Sequence, residues 1–271
     1  MRPTVIISTY NSPAWLEKVL WGYSIQSHRD FEMVIADDGS TNDTAELIES
    51  MRKTTGMNLN HVWHDDRGFR KCTILNRAIV TAQTDYLIFS DGDCIPRDDF
   101  VQTHVRLARP GYFLSGGLVR LPLELSESLT KNDILGGDAT NAAWLRKHGM
   151  PWDKKLRMLG KNPILARAMD WLTTTRATWN GHNASAAKSD ILRVNGYDER
   201  MEHGGLDREL GERLVNAGVR PIQIRYRAPC VHLDHGRGYC RPEALALNRQ
   251  IRRRVRDEHL DYTPFGIDKA A

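Results

Sequence analysis

Two hydrophobic periods alternate along the amino-terminal part of the chain, and that alternation constrains the fold more than any other feature. TVIIS (4–8), FEMVIA (31–36), LNHVW (59–63) and DYLIFS (85–90) are short apolar runs rich in β-branched and aromatic residues, the pattern of buried strands. Between them the apolar positions take helical spacing. Leu16, Val19, Leu20 and Tyr23 follow Ser12 and Pro13, an N-cap and a first helical position; Leu47 and Ile48 mark a second helix; Leu75, Ala78, Ile79 and Ala82 share one face within GFRKCTILNRAIVTA (68–82). Strands that alternate with helices need crossover connections, so the expected fold is α/β: a mostly parallel central sheet with helices on both faces. Ligands in such sheets bind beyond the carboxyl ends of the strands. Polar clusters fall at those ends: Thr9, Tyr10 and Asn11; Asp37 and Asp38; His64 to Arg70; Asp91 to Asp93.

Beyond residue 110 the pattern changes. YFLSGGLVRLP suggests a hairpin turning on Gly116 and Gly117, and residues 122–178 read as an irregular, helical insert carrying Trp144, Trp152 and Trp171. Residues 181–225 return to strand, helix and strand. A last helix starts at Arg241, with Leu247, Ile251 and Val255 along one side and Arg249, Arg252, Arg253, Arg254 and Arg256 around the other. No linker or repeat divides the chain. The expected organisation is one domain over 1–240 (a first half to about 110, the insert, a second half over 179–240) and a basic helix and tail over 241–271. A net charge of +4 suits an anionic small molecule or a membrane surface and is too weak to argue for nucleic acid, which is not expected as a partner. The four cysteines, Cys72, Cys94, Cys230 and Cys240, show no CxxC pairing and read as free thiols. The amino terminus has no signal-peptide shape, and no stretch reaches the roughly 18 uncharged apolar residues of a membrane span. A soluble cytoplasmic protein is expected, with the tail arginines open to two readings: a peripheral contact with anionic lipid, or a solvated helix face.

In YLIFSDGDCIP (86–96) an apolar strand delivers Asp91 and Asp93 one residue apart, so on an extended backbone both side chains emerge on one side. Like charges that close call for a cation, and two oxygens with open positions suit Mg²⁺ or Mn²⁺ completed by phosphate and water. Gly92 lets backbone approach a ligand; Asp-Gly is also ordinary turn chemistry.

VIISTYN, VIADDGS, GFRKCTILNRAI and YLIFSDGDCIP, in this order and spacing, resemble the nucleotide-binding half of family 2 glycosyltransferases with the GT-A fold. GYDERMEHGGLDRELGERL (196–214) resembles the carboxyl-terminal segment shared by β-1,4-galactosyltransferases, polypeptide N-acetylgalactosaminyltransferases and bacterial chondroitin-polymerase-type enzymes. The two stretches cover roughly two thirds of the chain. The resemblance implies a Mn²⁺- or Mg²⁺-dependent, inverting transfer of a hexose or N-acetylhexosamine from a UDP-sugar to a saccharide or lipid-linked acceptor, in the setting of bacterial surface polysaccharide or lipopolysaccharide synthesis. It also implies roles. Asp91 and Asp93 meet the metal, Asp93 more directly. Thr9, Tyr10, Asn11, Asp38, Arg70 and Asn76 line the nucleotide and phosphates, with Asp38 at the uracil edge. Trp179 and His182 lie under the donor sugar, Gly204 and Gly205 let backbone approach it, and His235 or His232 completes the metal set. Asp207 is the catalytic base and Glu209 the runner-up, while Leu206 departs from the family by replacing an acid that helps hold the acceptor.

Ordinary structural readings stand beside these roles: a helix cap for Asp207, core packing for Trp179, a surface ion pair with Asp65 or Asp66 for Arg70. Two other function classes also stay open. A sugar nucleotidyltransferase would ordinarily carry a glycine-rich loop after the first strand, and STYNSPAW has no glycine; the other is a non-catalytic carbohydrate-binding protein on a transferase fold.

Overall fold

The computed structural model describes residues 1–236 and 241–268. The first half follows the expected alternation: β1 (Thr4–Thr9), α1 (Pro13–Ser24), β2 (Glu32–Asp37), α2 (Asn42–Thr55), β3 (Leu59–Trp63), α3 (Lys71–Thr81) and β4 (Tyr86–Asp91). After β4 come β5 (Cys94–Pro96), α4 (Phe100–Leu107), β6 (Tyr112–Ser115) and β7 (Gly117–Arg120). The helical segment contains α5 (Leu123–Ser128), α6 (Lys131–Leu135), α7 (Ala142–Lys147) and α8 (Pro163–Leu172), with 3-10 turns between them. The chain closes with β8 (Ala184–Ala187), α9 (Lys188–Arg193), α10 (Leu206–Asn216), β9 (Arg220–Gln223), β10 (Pro229–His232) and α11 (Pro242–Asp257).

Seven strands form the main sheet in the order β3-β2-β1-β4-β8-β6-β9, parallel except where β8 pairs antiparallel with β4 and β6. β1 and β2 are buried along their whole length, as continuous apolar runs covered on both faces must be. One layer of core packs Leu16, Leu20 and Phe100 against Val5, Ile35 and Ile88; the opposite layer packs Leu75, Ile79, Trp179 and Leu210 against Ile6, Val34 and Phe89.

The expected hairpin over YFLSGGLVRLP is not formed. β6 stays in the main sheet, while β7 joins a second, three-stranded sheet in the order β5-β10-β7. Gly116 and Gly117 are crossing points between the sheets: a Cβ on Gly116 would collide with the Asn183 side chain, and one on Gly117 with the Arg225 carbonyl. Local periodicity cannot show this, because the partner strands arrive from residues 184–232.

Three smaller expectations are also corrected. Ser12 stands at the N-cap of α1, but its side chain makes no capping bond. Residues 68–70 precede α3 and are not helical. On α11 the buried side is Asn248, Ile251 and Val255, with Leu247 left exposed. Asn248 takes the place of an apolar residue because its Nδ2 donates to the carbonyls of Glu202, His203 and Gly204.

Candidate active site

The strand ends of β1, β2 and β4 gather the first polar groups. Asp91 ends β4, and Gly92 and Asp93 turn the chain into β5, so the extended backbone expected through Asp93 stops two residues early. The two carboxylates still converge: oxygens of Asp91 and Asp93 and the Cys94 sulfur lie within 4.8 Å of one another. Each carboxylate has its own partners. Asp91 Oδ1 accepts from Lys71 Nζ at 2.7 Å and from Ser8 Oγ at 2.7 Å. Asp93 Oδ2 faces the Nε2 atoms of His235 at 2.9 Å and His232 at 3.4 Å.

Strand register produces the second meeting. β10 runs antiparallel to β5 with His232 opposite Cys94, and the Leu233 amide donates to the Asp93 carbonyl at 2.8 Å. Asp93 and both histidines, some 140 residues apart in sequence, thereby become neighbours, their rings stacked with centroids 5.5 Å apart. Asp93, His232 and His235 offer one carboxylate oxygen and two imidazole nitrogens within 4.8 Å. This donor set fits a divalent transition metal, and the buried His232 Nδ1, which has no protein partner, leaves Nε2 as the atom turned to the carboxylate.

Electrostatics divide the acids into two kinds. Burial acts to raise the Asp91 carboxyl, but the charge and hydrogen bond of Lys71 outweigh it and hold it down to about 2. Lys71 is kept cationic in turn: burial opposes its charge, and Asp91, Asp207 and Asp93 more than compensate. Asp207 is the opposite case, since burial pushes its carboxyl up to about 6 against the pull of Lys71. Burial likewise lowers His182 to about 4, so its imidazole is neutral beside Asp91 and Asp93.

Asp207 does not cap its helix. Gly205, with φ +99°, holds the N-cap position of α10, and Asp207 lies in the first turn facing the Gly181 backbone, which donates to it. Close packing brings these segments together: Gly211 of α10 leaves room for Trp179, and a Cβ on Gly181 would strike the Asp207 carboxylate. Tyr197 Oη also reaches Asp207 Oδ1 at a long 3.5 Å.

Several expected residues stand elsewhere. Trp179 is fully buried between Phe89 and Phe113, its Nε1 donating to Tyr197 Oη, and has no face open to a sugar. Asn76 is turned inward, accepting from the Tyr197 amide and donating to the Tyr197 carbonyl, so it holds the 196–199 turn against α3. Glu209 is buried in a bidentate pair with Arg213, which also donates to Val194 and Gly196 carbonyls, and so is not a second base. Leu206 fills core space with Leu210. Gly204 and Gly205 make room for α11, since a Cβ would meet Leu245 at the first and Arg252 at the second.

The remaining groups stand at the carboxyl ends of β1 and β2. Asn11 (φ +43°) accepts from the Thr41 amide, and Tyr10 Oη donates to Asp66 Oδ2. Thr9 Oγ1 is buried without a partner beside Gly92. Asp38 accepts from the Arg70 amide at 3.0 Å and from His64 Nε2 at 2.8 Å. The Arg70 side chain makes no ion pair with Asp65 or Asp66; Arg67 takes Asp65. Sequence reasoning placed His64 in a polar cluster without a role and missed Lys71 and Ser8. Their signal was position alone: Lys71 opens α3 at the same rim, and Ser8 opens the polar STYN stretch. Cys72, Cys94 and Cys230 are buried free thiols, and Cys240 lies outside the described residues.

Residues 4–120, the span of β1 to β7, match the model of glycosyl transferase family 2. The match takes in the amino-terminal part of the chain, less than half of its length. The chain is 25% identical over 237 residues to chondroitin synthase of Escherichia coli, covering 79% of this chain and 32% of the relative. It is 28% identical over 260 residues to validoxylamine A glucosyltransferase of Streptomyces hygroscopicus subsp. jinggangensis, covering 90% and 58%. The chain thus spans about a third to three fifths of the length of these relatives. Among solved structures it resembles TarS 1–349 of S. aureus in complex with UDP-GlcNAc (TM-score 0.63, 15% identity, 93% of this chain and 65% of that one). It also resembles the mannosyltransferase PcManGT of Pyrobaculum calidifontis in complex with GDP-Man and Mn²⁺ (TM-score 0.59, 22% identity, 88% and 58%). The α/β architecture is the GT-A fold of these glycosyltransferases.

Proposed function

We propose that this chain is an inverting, divalent-metal-dependent glycosyltransferase that moves a hexose or N-acetylhexosamine from a UDP-sugar to a saccharide hydroxyl in surface polysaccharide or lipopolysaccharide synthesis. One observation carries the reading: the buried Lys71 ammonium feels the charges of Asp91 and Asp93, at the donor set, and of Asp207, the carboxylate raised to about 6. Asp93, His232 and His235 are the residues that would hold the ion, with Asp91 beside them; two imidazoles favour Mn²⁺ over Mg²⁺. A cation held there would supply positive charge against a departing diphosphate.

The other steps belong to the protein. Asp207, as carboxylate, takes the proton of the acceptor hydroxyl, and a pKa near the working pH is what a general base needs. Attack from the face opposite the leaving group inverts the anomeric centre, so an α-linked donor yields a β-linked product, by the logic of inverting hydrolysis. Lys71 keeps Asp91 ionised. Thr9 and Arg70, whose hydroxyl and guanidinium have no partner among the described residues, are assigned with Asn11 and Asp38 to the nucleotide, and neutral His182 to the sugar or diphosphate. The UDP-GlcNAc bound by TarS supports the donor class, the Mn²⁺ of PcManGT the metal, and the likeness to chondroitin synthase a saccharide acceptor.

The test is UDP release from a panel of UDP-sugars with and without Mn²⁺, run on wild type, Asp93→Ala and Asp207→Asn with an acceptor mixture present. Metal-dependent release of one donor, lost in both variants, is expected. Equal release by Asp207→Asn and wild type would remove Asp207 as base, and a chain that binds UDP-sugar but turns none over would be a binding protein.

A further inference from the structure

Helix α8 is attached by its polar side. Asp170 is buried there, accepting from the Tyr226 amide at 2.8 Å and from Arg227 Nε at 2.6 Å, and Ala166 packs beside it. The opposite side is an apolar stripe at helical spacing: Ile164, Leu165, Ala168, Trp171 and Leu172. All five are exposed, Trp171 at 84% and Ile164 at 81%. A soluble helix normally buries such a stripe, so this one is arranged to meet something apolar. A groove of about 1200 Å³ continues the apolar surface between α8 and the preceding turns, with Leu135, Trp152, Leu165 and Met169 on its walls.

Charge identifies the occupant. Residues 146–176 hold eight Lys and Arg against two acids, and one of those acids is the buried Asp170. All eight cations are exposed, among them Arg157, Lys161, Arg167 and Arg176 around the stripe. The whole chain carries only +4, so its positive charge is concentrated beside this helix. An exposed apolar stripe with tryptophan, flanked by cations, is the composition of a helix that lies in the interface of an anionic bilayer. Three of the five arginines of α11 are committed elsewhere, Arg252 and Arg256 to Glu212 and Arg254 to Glu258, whereas of the α8 cations named above Lys161 alone has an ion pair among the described residues, with Asp98.

We propose that α8 and its flanking cations dock this protein on an anionic lipid surface, with Ile164, Leu165, Trp171 and Leu172 entering the headgroup–acyl boundary. No helix among the described residues is long and apolar enough to cross a membrane, so this contact is peripheral.

Co-sedimentation with phosphatidylcholine vesicles, with and without phosphatidylglycerol, tests the proposal on the full chain. Wild type is expected to bind the anionic vesicles and to be released by salt; Ile164→Ser/Trp171→Ser is expected to weaken binding at least about tenfold. Both side chains are exposed, and an unchanged circular dichroism spectrum with unchanged UDP-sugar turnover confirms the fold. In a second arm, Lys154→Glu/Arg157→Glu/Lys161→Glu loses the preference for anionic vesicles. Undiminished binding by the serine variant, loss caused only by Arg249→Glu/Arg253→Glu, or no vesicle binding with α8-dependent dimerisation in sedimentation would each overturn it.

Discussion

Asp207 is held at a cost to the fold, because a carboxylate in a buried cleft beside Asp91 is easier to protonate than one in the unfolded chain. With its folded pKa raised to about 6, its favourable contribution is complete below the unfolded value of about 4 and is lost as pH rises through 6. Asp207→Asn should therefore raise the melting temperature at neutral pH, by about 1–3 kcal/mol of stability, while lowering turnover by roughly 10²–10⁴. Wild-type turnover should rise with pH through about 6, as the base ionises. Asp91 has the reverse sign. Its pKa is depressed to about 2, so its contribution is present above about 4 and lost as pH falls through 2. Lys71→Met removes the main partner, and urea titration in metal-free buffer should show a loss of about 1–3 kcal/mol at neutral pH, the pair being only partly buried. That difference should shrink on acidification.

At the scale of elements, the decisive contacts are close approaches that join segments far apart in sequence. Asn183 donates to the Gly117 and Ala228 carbonyls and accepts from His104, filling the place where a Gly116 side chain would stand. Gly116→Ala should displace it and cost about 2–4 kcal/mol in denaturant unfolding, loosening β7 and β10 with their histidine from the main sheet. The Glu209–Arg213 pair anchors α10 from inside; with both side chains buried, Glu209→Gln should cost about 3–5 kcal/mol by the same measurement. Such contacts explain what was legible in the sequence. The β1-to-β4 alternation and the α11 helix read directly from periodicity. The split of β6 from β7 did not, because a glycine that crosses between sheets has the same local signature as one that turns a hairpin.

The whole molecule brings the proposed metal set, the proposed base and the proposed nucleotide rim together from both halves of the chain. Mn²⁺ at about a hundredfold its Kd should raise stability by about 2.7 kcal/mol, readable as a thermal shift, and Asp93→Ala or His235→Ala should abolish it. Loss of the shift in both variants, with a retained shift in Lys71→Met, would place the ion on the Asp93 side of the cleft.

The amino-acid order by itself determined the α/β alternation, the rim on which the polar clusters gather, and the residue types able to bind a metal and accept a proton. Those depend on local spacing and on side-chain chemistry. Tertiary structure alone decided which candidates work together. β5–β10 register carried His232 and His235 to Asp93, and Lys71 arrived from α3 to separate the two acids. Trp179, Asn76 and Glu209 went to the interior because packing against Phe89, Tyr197 and Arg213 claimed them first. Burial and pairing are properties of the assembled chain: burial raises both acids, and the hydrogen bonds of Lys71 and Ser8 to Asp91 are what set it apart from Asp207.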